Sequence, residues 1–412
     1  MRHIWPLTIR GTGAVVLGIA CFILAGELAL PVLTYFALLL FVVVGVSVAS
    51  LYSMKRGASV TRALSTDVAT VGRESTVTAS AGLRSALPVP PGLWSDGLPK
   101  ALSGEAHGTF PALSSGLSGG ERSVELSYRI TGVSRGVHAI GPLTITSTDP
   151  FGFARRRLVL GSRTPVTIVP SVAELPPLSS AAGEVGGSLH SATTQLGQGA
   201  DNLIARPYAP GDSMRRIHWR ATAHRDQLMV RQEEQESTPE ATVVLDRGVL
   251  RWSNDALRAP GTDPAFEAAV SACVSVTARL AKEGYTVEVI DSDGTALSDP
   301  LDGDADIDTL LARFATVTAR RDDHLARLTA LFAGVTTGPV ILIVGRLDPQ
   351  DAEALAPLAH HSTLPILLAA APRAGALERA TEAGWRCAEL EADGDLANVW
   401  SRVGRGSNRV FA

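Results

Sequence analysis

The sequence predicts a multidomain protein: a two-helix transmembrane hairpin, an all-β immunoglobulin-like sandwich, then an α/β doubly wound domain. Three observations predict it. Two apolar runs of membrane-spanning length open the chain, a long stretch then alternates apolar and polar residues between turn signals, and from Ala241 strands alternate with helices. At 412 residues the chain exceeds what a single core ordinarily organises. Expected boundaries are 1–56 for the hairpin, 57–175 for the sandwich, 176–240 for a linker with a dense polar–aromatic motif, and 241–412 for the α/β domain.

The first apolar run covers roughly Gly11 to Leu28 and the second roughly Leu30 to Tyr52, each close to the ~20 residues a helix needs to cross a bilayer. A cleaved signal peptide would leave no reason for a second run to follow at once, so a hairpin turning near Glu27 and Pro31 fits better. Arg2 and Arg10 precede the first run, and Lys55, Arg56 and Arg62 follow the second. The excess of positive charge at both ends places both termini and the soluble bulk in the cytoplasm of a membrane-tethered protein.

In the sandwich region Val124, Leu126, Tyr128 and Ile130 alternate with Glu125, Ser127 and Arg129, as a strand with one buried face does. Leu143 and Ile145, then Val166 and Ile168, repeat the pattern between Gly and Pro turns, which suggests an immunoglobulin-like sandwich. Asp149-Pro150-Phe151-Gly152 reads as a tight turn that buries Phe151, since nothing else of a kinase accompanies it. Arg155-Arg156-Arg157 reads as a solvated strand face, with contact to anionic lipid or an acidic partner as the alternative. Pro176 to Gly199 is Gly/Ser/Ala-rich without hydrophobic period, so a flexible connection or an exposed loop is expected.

From Ala241, strands are expected at Ala241–Asp246, Thr286–Ile290, Pro339–Val344, Leu364–Ala369 and Trp385–Leu390. Helices are expected near Asp263–Glu283, Ile307–Val317, Asp322–Phe332, Gln350–Leu358 and Leu377–Glu382. This alternation gives a parallel sheet covered on both faces. A net charge of -4 on this length argues against nucleic-acid binding. Cys21, Cys273 and Cys387 are few, odd in number and far apart, so neither a disulfide framework nor a zinc site is expected.

The densest chemistry lies between Gly197 and Glu236. Pro210-Gly211 makes a turn, Asp212 can cap a short helix through Trp219 to Ala223, and Leu228 to Val230 is a short strand. Arg206, Tyr208, Gly211, Asp212, Arg216, Trp219, Arg231 and Glu236 form the candidate binding set. The segment resembles the core motif of the bacterial domain of unknown function 58 family: Arg206-Pro207-Tyr208, Gly211-Asp212, Arg215-Arg216-Ile217-His218-Trp219, Ala223-His224-Arg225, Leu228-Met229-Val230-Arg231 and Glu236 occur in its order. His218 stands where the family usually has Asp. Arg135-Gly136-Val137, Gly141-Pro142-Leu143 and Asp149-Pro150-Phe151-Gly152 resemble the region preceding that motif.

The resemblance implies a von Willebrand factor type A-like domain at the C-terminus. It also implies partnership with a MoxR-type AAA+ ATPase and a transglutaminase-like membrane protein, and no reaction. Metal-binding type A domains carry Asp-x-Ser-x-Ser after the first strand. Here the loop is Asp246-Arg247-Gly248-Val249-Leu250, without either hydroxyl, so no metal and no cofactor is expected. Asp246, the Asp291-Ser292-Asp293-Gly294 turn and Arg346 are read as a partner-facing rim at the C-terminal ends of the sheet strands. The motif is read as a structural Arg–Glu and Tyr–Trp network with a protein-binding edge. Its rivals are an anion-binding pocket built on the same arginines and a hydrolase using His218, His224 and Asp212. The role expected is a non-enzymatic adaptor or assembly factor.

Overall fold

In the computed structural model the residues described are 5–52, 59–66, 68–83, 90–113, 122–178, 203–209, 214, 217–225, 227–233, 239–303, 306–333 and 337–404. They form two compact units. One comprises 1–171 with 253–267 and 309–319, and the other comprises 172–252, 268–308 and 320–412.

The first unit opens with helices α1 (Ile9–Glu27) and α2 (Pro31–Tyr52), both long and apolar enough to cross a membrane. Pro31 starts α2, where its missing N–H is not needed. Gly18 packs against the Phe41 ring, so the two helices touch along their small residues.

Eleven strands follow: β1 (Val60–Leu64), β2 (Ala69–Thr70), β3 (Glu74–Leu83), β4 (Gly92–Asp96), β5 (Leu102–Gly104), β6 (His107–Phe110), β7 (Arg122–Gly132), β8 (Gly136–Ile140), β9 (Leu143–Thr148), β10 (Arg155–Leu160) and β11 (Thr164–Val169). They build three sheets, ordered β1-β3-β7-β5, β10-β9-β4-β6 and β2-β11-β8, whose apolar faces share one core. The alternation in β7 is observed as read: Val124, Leu126, Tyr128 and Ile130 are all buried. Phe151 is not. It is 59% exposed, because Asp149 closes the turn with its own carboxylate on the Phe151 and Ala154 amides, and the ring is left to stack on Phe153.

Arg135, between β7 and β8, is fully buried. Its guanidinium forks onto Glu267 (2.6 and 2.9 Å), donates to the Phe314 carbonyl (2.6 Å) and lies over the Phe266 ring. Arginine suits this place because one planar group serves a carboxylate and a carbonyl at once.

In the second unit, β12 (Leu203–Pro207), helix α3 (Trp219–Arg225) and β13 (Met229–Glu233) precede a six-stranded sheet. That sheet contains β14 (Glu240–Leu245), β15 (Thr286–Asp291), β16 (Leu301–Asp302), β17 (Thr337–Leu347), β18 (Ser362–Pro372) and β19 (Arg386–Glu389). Helices α4 (Pro264–Lys282), α5 (Ile307–Phe314), α6 (Leu328–Leu331), α7 (Pro349–Ala354), α8 (Ala356–His361), α9 (Ala376–Glu382) and α10 (Leu396–Gly404) intervene or follow, with the first turn of α4 and most of α5 belonging to the first unit. The order is β16-β15-β14-β17-β18-β19, parallel except for the antiparallel edge strand β16. Val243, Val244 and Leu245 are each wholly buried, as a strand covered on both faces requires.

Three expectations need correction. The helix read over Gln350–Leu358 is two helices, since Pro357 restarts the turn at the beginning of α8. No strand is expected between Thr286–Ile290 and the helix at Ile307, yet Leu301-Asp302 pairs antiparallel with β15. Residues 176–178, expected to begin a flexible linker, are held in place. The Pro176 carbonyl accepts from the Trp400 indole (3.0 Å), Leu178 N donates to Glu283 (2.8 Å), and Leu178 is buried.

Candidate functional site at the end of the central strand

An open α/β sheet binds ligands where its strand order reverses, beyond the carboxyl ends of the strands. Here the reversal lies between β14 and β17, and Asp246 immediately follows β14. The Asp246 amide donates to the Ile343 carbonyl (2.9 Å), which holds the residue at the mouth of the crevice.

Asp246 is not on a rim. It is 0% exposed, because the chain that follows folds back over it. Its Oδ1 accepts from the Gly248 amide (3.2 Å) and from the Ser292 hydroxyl (2.8 Å), while Oδ2 is buried with no hydrogen-bond partner among the described residues. Burial pushes its carboxyl up to about 6, partly opposed by the Ser292 and Gly248 hydrogen bonds and by the nearby Arg251 charge.

The loop 247–252 fills the crevice. The Trp252 indole donates to the Asp246 carbonyl (2.9 Å), and a Cβ at Gly345 would lie 2.1 Å from the Arg251 carbonyl oxygen and 2.9 Å from the Trp252 ring. Only glycine at 345 permits that approach. Arg251 forks onto Asp351 and reaches Asp323 (3.4 Å). Beside it, Arg320 joins Asp291 (3.1 Å) and Asp293 (2.7 Å), and Arg247 lies 3.6 Å from Asp291. Burial works against ionisation of Asp293, but hydrogen bonds from Thr295 and the Arg320 charge outweigh it and hold the carboxyl down at about 2. Arg346 is exposed and donates to the Leu250 carbonyl (2.6 Å).

A divalent cation does not fit this loop. Where type A metal loops supply hydroxyls, Gly248 aims an N–H at Asp246 and Leu250 is 59% exposed. Among the described residues no three His, Cys, Asp or Glu side chains gather as a metal site.

The motif segment is a separate structure within the same unit. β12 and β13 pair antiparallel, with Arg206 opposite Val230 and Ala205 opposite Arg231. Tyr208 N donates to the Leu228 carbonyl, and Ile217 bridges Val230. Helix α3 begins at Trp219, and its cap is His218: Nδ1 accepts from the Ala221 amide (3.0 Å) while the His218 amide donates to Met229 O. That leaves this nitrogen engaged with the backbone. Trp219 is 69% exposed, contrary to a buried Tyr–Trp network, since α3 has only seven residues and puts its first one toward solvent. Gly211, Asp212, Arg216 and Glu236 lie outside the described residues, as do the side chains of Arg206 and Arg231, so the Asp212 cap and the Arg–Glu network fall there too.

The sequence reading put Asp246, the Asp291-Ser292-Asp293-Gly294 turn and Arg346 on one edge, and the structure brings Ser292 onto Asp246. It did not single out Arg251, Trp252 or Arg320, which reach the site from loops whose sequence carries no signal of that placement.

Comparison with known proteins places the motif. The family model described as "Protein of unknown function DUF58" matches residues 204–358. No curated protein matches the chain. Among solved structures, the CARDB domain of a Pyrococcus furiosus protein, in complex with di-metal ions, is 13% identical with a TM-score of 0.18, covering 27% of this chain and 87% of that one. A cohesin module from a Clostridium perfringens family 33 glycoside hydrolase is 13% identical with a TM-score of 0.16, covering 28% of this chain and 98% of that one.

Proposed function

We propose that the protein is a membrane-anchored, cytoplasm-facing adaptor or assembly factor without enzymatic activity. The observation that carries this reading is the filled crevice. The place where an α/β sheet ordinarily receives a small ligand holds Arg251, Trp252 and a buried Asp246 instead. What is left for recognition is an exposed surface with Arg346 and, on the motif, Trp219, which suits a protein better than a small molecule. Counted from β14 the strand order is 3-2-1-4-5-6 with the third strand antiparallel at the edge, which supports a von Willebrand factor type A-like fold. The basic flanks of α1 and α2 support cytoplasmic termini.

The partner we propose, by family resemblance, is a MoxR-type AAA+ ATPase, together with a transglutaminase-like membrane protein. Crosslinking in native membranes should recover the ATPase, and Arg346→Glu should weaken its recovery without changing the melting curve. Normal recovery by that variant, or no ATPase in the crosslinked material, overturns the adaptor reading. A cysteine at Ser59 should resist periplasmic labelling; its modification from outside overturns the topology. Saturable thermal stabilisation by Mg²⁺ or Mn²⁺, lost in Asp246→Ala, would show that the degraded loop binds metal after all.

A further inference from the structure

We propose that the loop 149–153 and the start of β10 form a lipid-headgroup contact surface, in which Trp5 and Phe151 enter the interfacial layer and Arg155 and Arg157 engage anionic phospholipid. It rests on the reading that α1 and α2 span a membrane.

Both ends of the hairpin that lie on the sandwich side land on this one part of the sandwich. Before α1, Leu7 bridges Ala154, Thr8 N donates to the Phe153 carbonyl (2.9 Å) and Arg155 N donates to the Pro6 carbonyl (2.8 Å). Thr8 also caps α1 and hydrogen-bonds the Gly152 carbonyl. The contact is close: a Cβ at Gly11 would meet the Phe153 oxygen at 2.0 Å. After α2, Arg156 donates to the Leu51 carbonyl and lies 4.7 Å over the Tyr52 ring. The edge strand β10 is therefore held at the level where the helices emerge from the bilayer.

At that level the side chains are of two kinds. Trp5 is 67% exposed and Phe151 59% exposed, and Trp5 begins an apolar groove that runs along α1 to Ala20. Arg155 and Arg157 are exposed on the outward face of β10, while Leu158 and Leu160 turn into the core. Asp149 is no counterweight, being buried and committed to the Phe151 and Ala154 amides. An aromatic pair beside outward arginines at the end of a spanning helix matches what an anionic interface selects: amphipathic or apolar rings at headgroup depth and cations against phosphate. The same placement explains why the 149–153 turn leaves Phe151 out of the sandwich core.

The test uses the full chain in nanodiscs. A polarity-sensitive label is placed at Phe151→Cys in a Cys387→Ser background, Cys21 and Cys273 being buried, and Val137→Cys is the solvent reference. The label at 151 should read an apolar environment and be quenched by bromines carried shallowly in the lipid. Exchanging phosphatidylcholine for phosphatidylglycerol should raise that quenching about twofold, and Arg155→Glu with Arg157→Glu should abolish the rise. A label at 151 as wet as the one at 137 in both lipids overturns the surface, and quenching indifferent to lipid charge overturns the role of the arginines. Resistance to carbonate extraction reports insertion independently. An extractable chain overturns the anchor and this surface together, whereas an inserted chain with a wet label overturns the surface alone.

Discussion

Asp96 in the sandwich and Asp246 in the α/β domain are both buried carboxylates at the end of a strand, and they are treated in opposite ways. Asp96 receives the Arg62 guanidinium on both oxygens (2.8 and 2.9 Å), the Tyr128 hydroxyl (2.8 Å) and the Gly97 amide (3.1 Å). Asp246 receives a hydroxyl and an amide on one oxygen and, among the described residues, nothing on the other. Burial and the neighbouring Asp96 charge push the Tyr128 phenol up, so it remains a donor, and the sandwich site is locked as a charge pair. The α/β site is instead a carboxylate held against its own solvation. A complete partner set stabilises the charge it surrounds; an incomplete one at a buried carboxylate opposes ionisation.

The largest expected effect comes from breaking the complete set. Arg62→Ala leaves Asp96 buried without its cation, and losing one partner of a buried pair costs about 3–5 kcal/mol. The Arg62 side chain is wholly buried, so solvent cannot replace it. Denaturant unfolding followed through a sandwich probe should show this, and a loss below about 1 kcal/mol would place Asp96 in water.

The opposite sign is expected at Asp246. Its folded value is about 6 against 3.8 for the free group, so between those values the native state binds the proton that the unfolded chain has released. Stability therefore falls as pH rises through that window, and above about pH 6 the full penalty stands, on the order of 3 kcal/mol. Asp246→Asn removes it: the variant should match the parent near pH 4, exceed it increasingly through about pH 6, and keep a constant lead from there to pH 8. A variant less stable at pH 8 would mean that Oδ2 has a partner and that the contrast with Asp96 is unreal.

Ser292→Ala sharpens the same contrast with a smaller change. It removes the 2.8 Å hydrogen bond that favours the ionised carboxylate. The loss should be about 1.5–3 kcal/mol at pH 8 and less at pH 4, where the acceptor is neutral. The midpoint of the pH–stability curve should move above that of the parent. A loss equal at both pH values would assign Ser292 a packing role only.

How much of this was legible depended on how local the cause was. The central strands were readable because Val243-Val244-Leu245 and Ile341-Leu342-Ile343 are continuous apolar runs, which only a strand buried on both faces tolerates. Helix α10 was not anticipated, although Leu396, Val399, Trp400 and Val403 carry the helical spacing and are all buried. The position of Asp246 at the strand end was legible; its burial was not, because that depends on Ser292, 46 positions away, and on Trp252 folding back. Phe151 and Trp219 misled in the same direction. Aromatic side chains in a dense motif suggest a core, yet one sits on a turn closed by Asp149 and the other at the first position of a short helix capped by His218.

Trp219→Ala is the smallest expected effect and the control for both carboxylates. Were the ring buried, its loss would remove ~3–5 kcal/mol through the cavity left behind. At 69% exposure it fills no such space, and the cap that starts α3 comes from His218, whose bond to Ala221 the substitution leaves in place. Stability should change by no more than about 0.5 kcal/mol. Exposed tryptophan is also the side chain from which interfaces draw most energy, so partner recovery from crosslinked membranes should fall while the melting curve stays fixed. A substantial loss of stability would mean that the motif packs the indole after all. An unchanged melt with unchanged recovery would remove the motif from the interface and leave Arg346 to carry it.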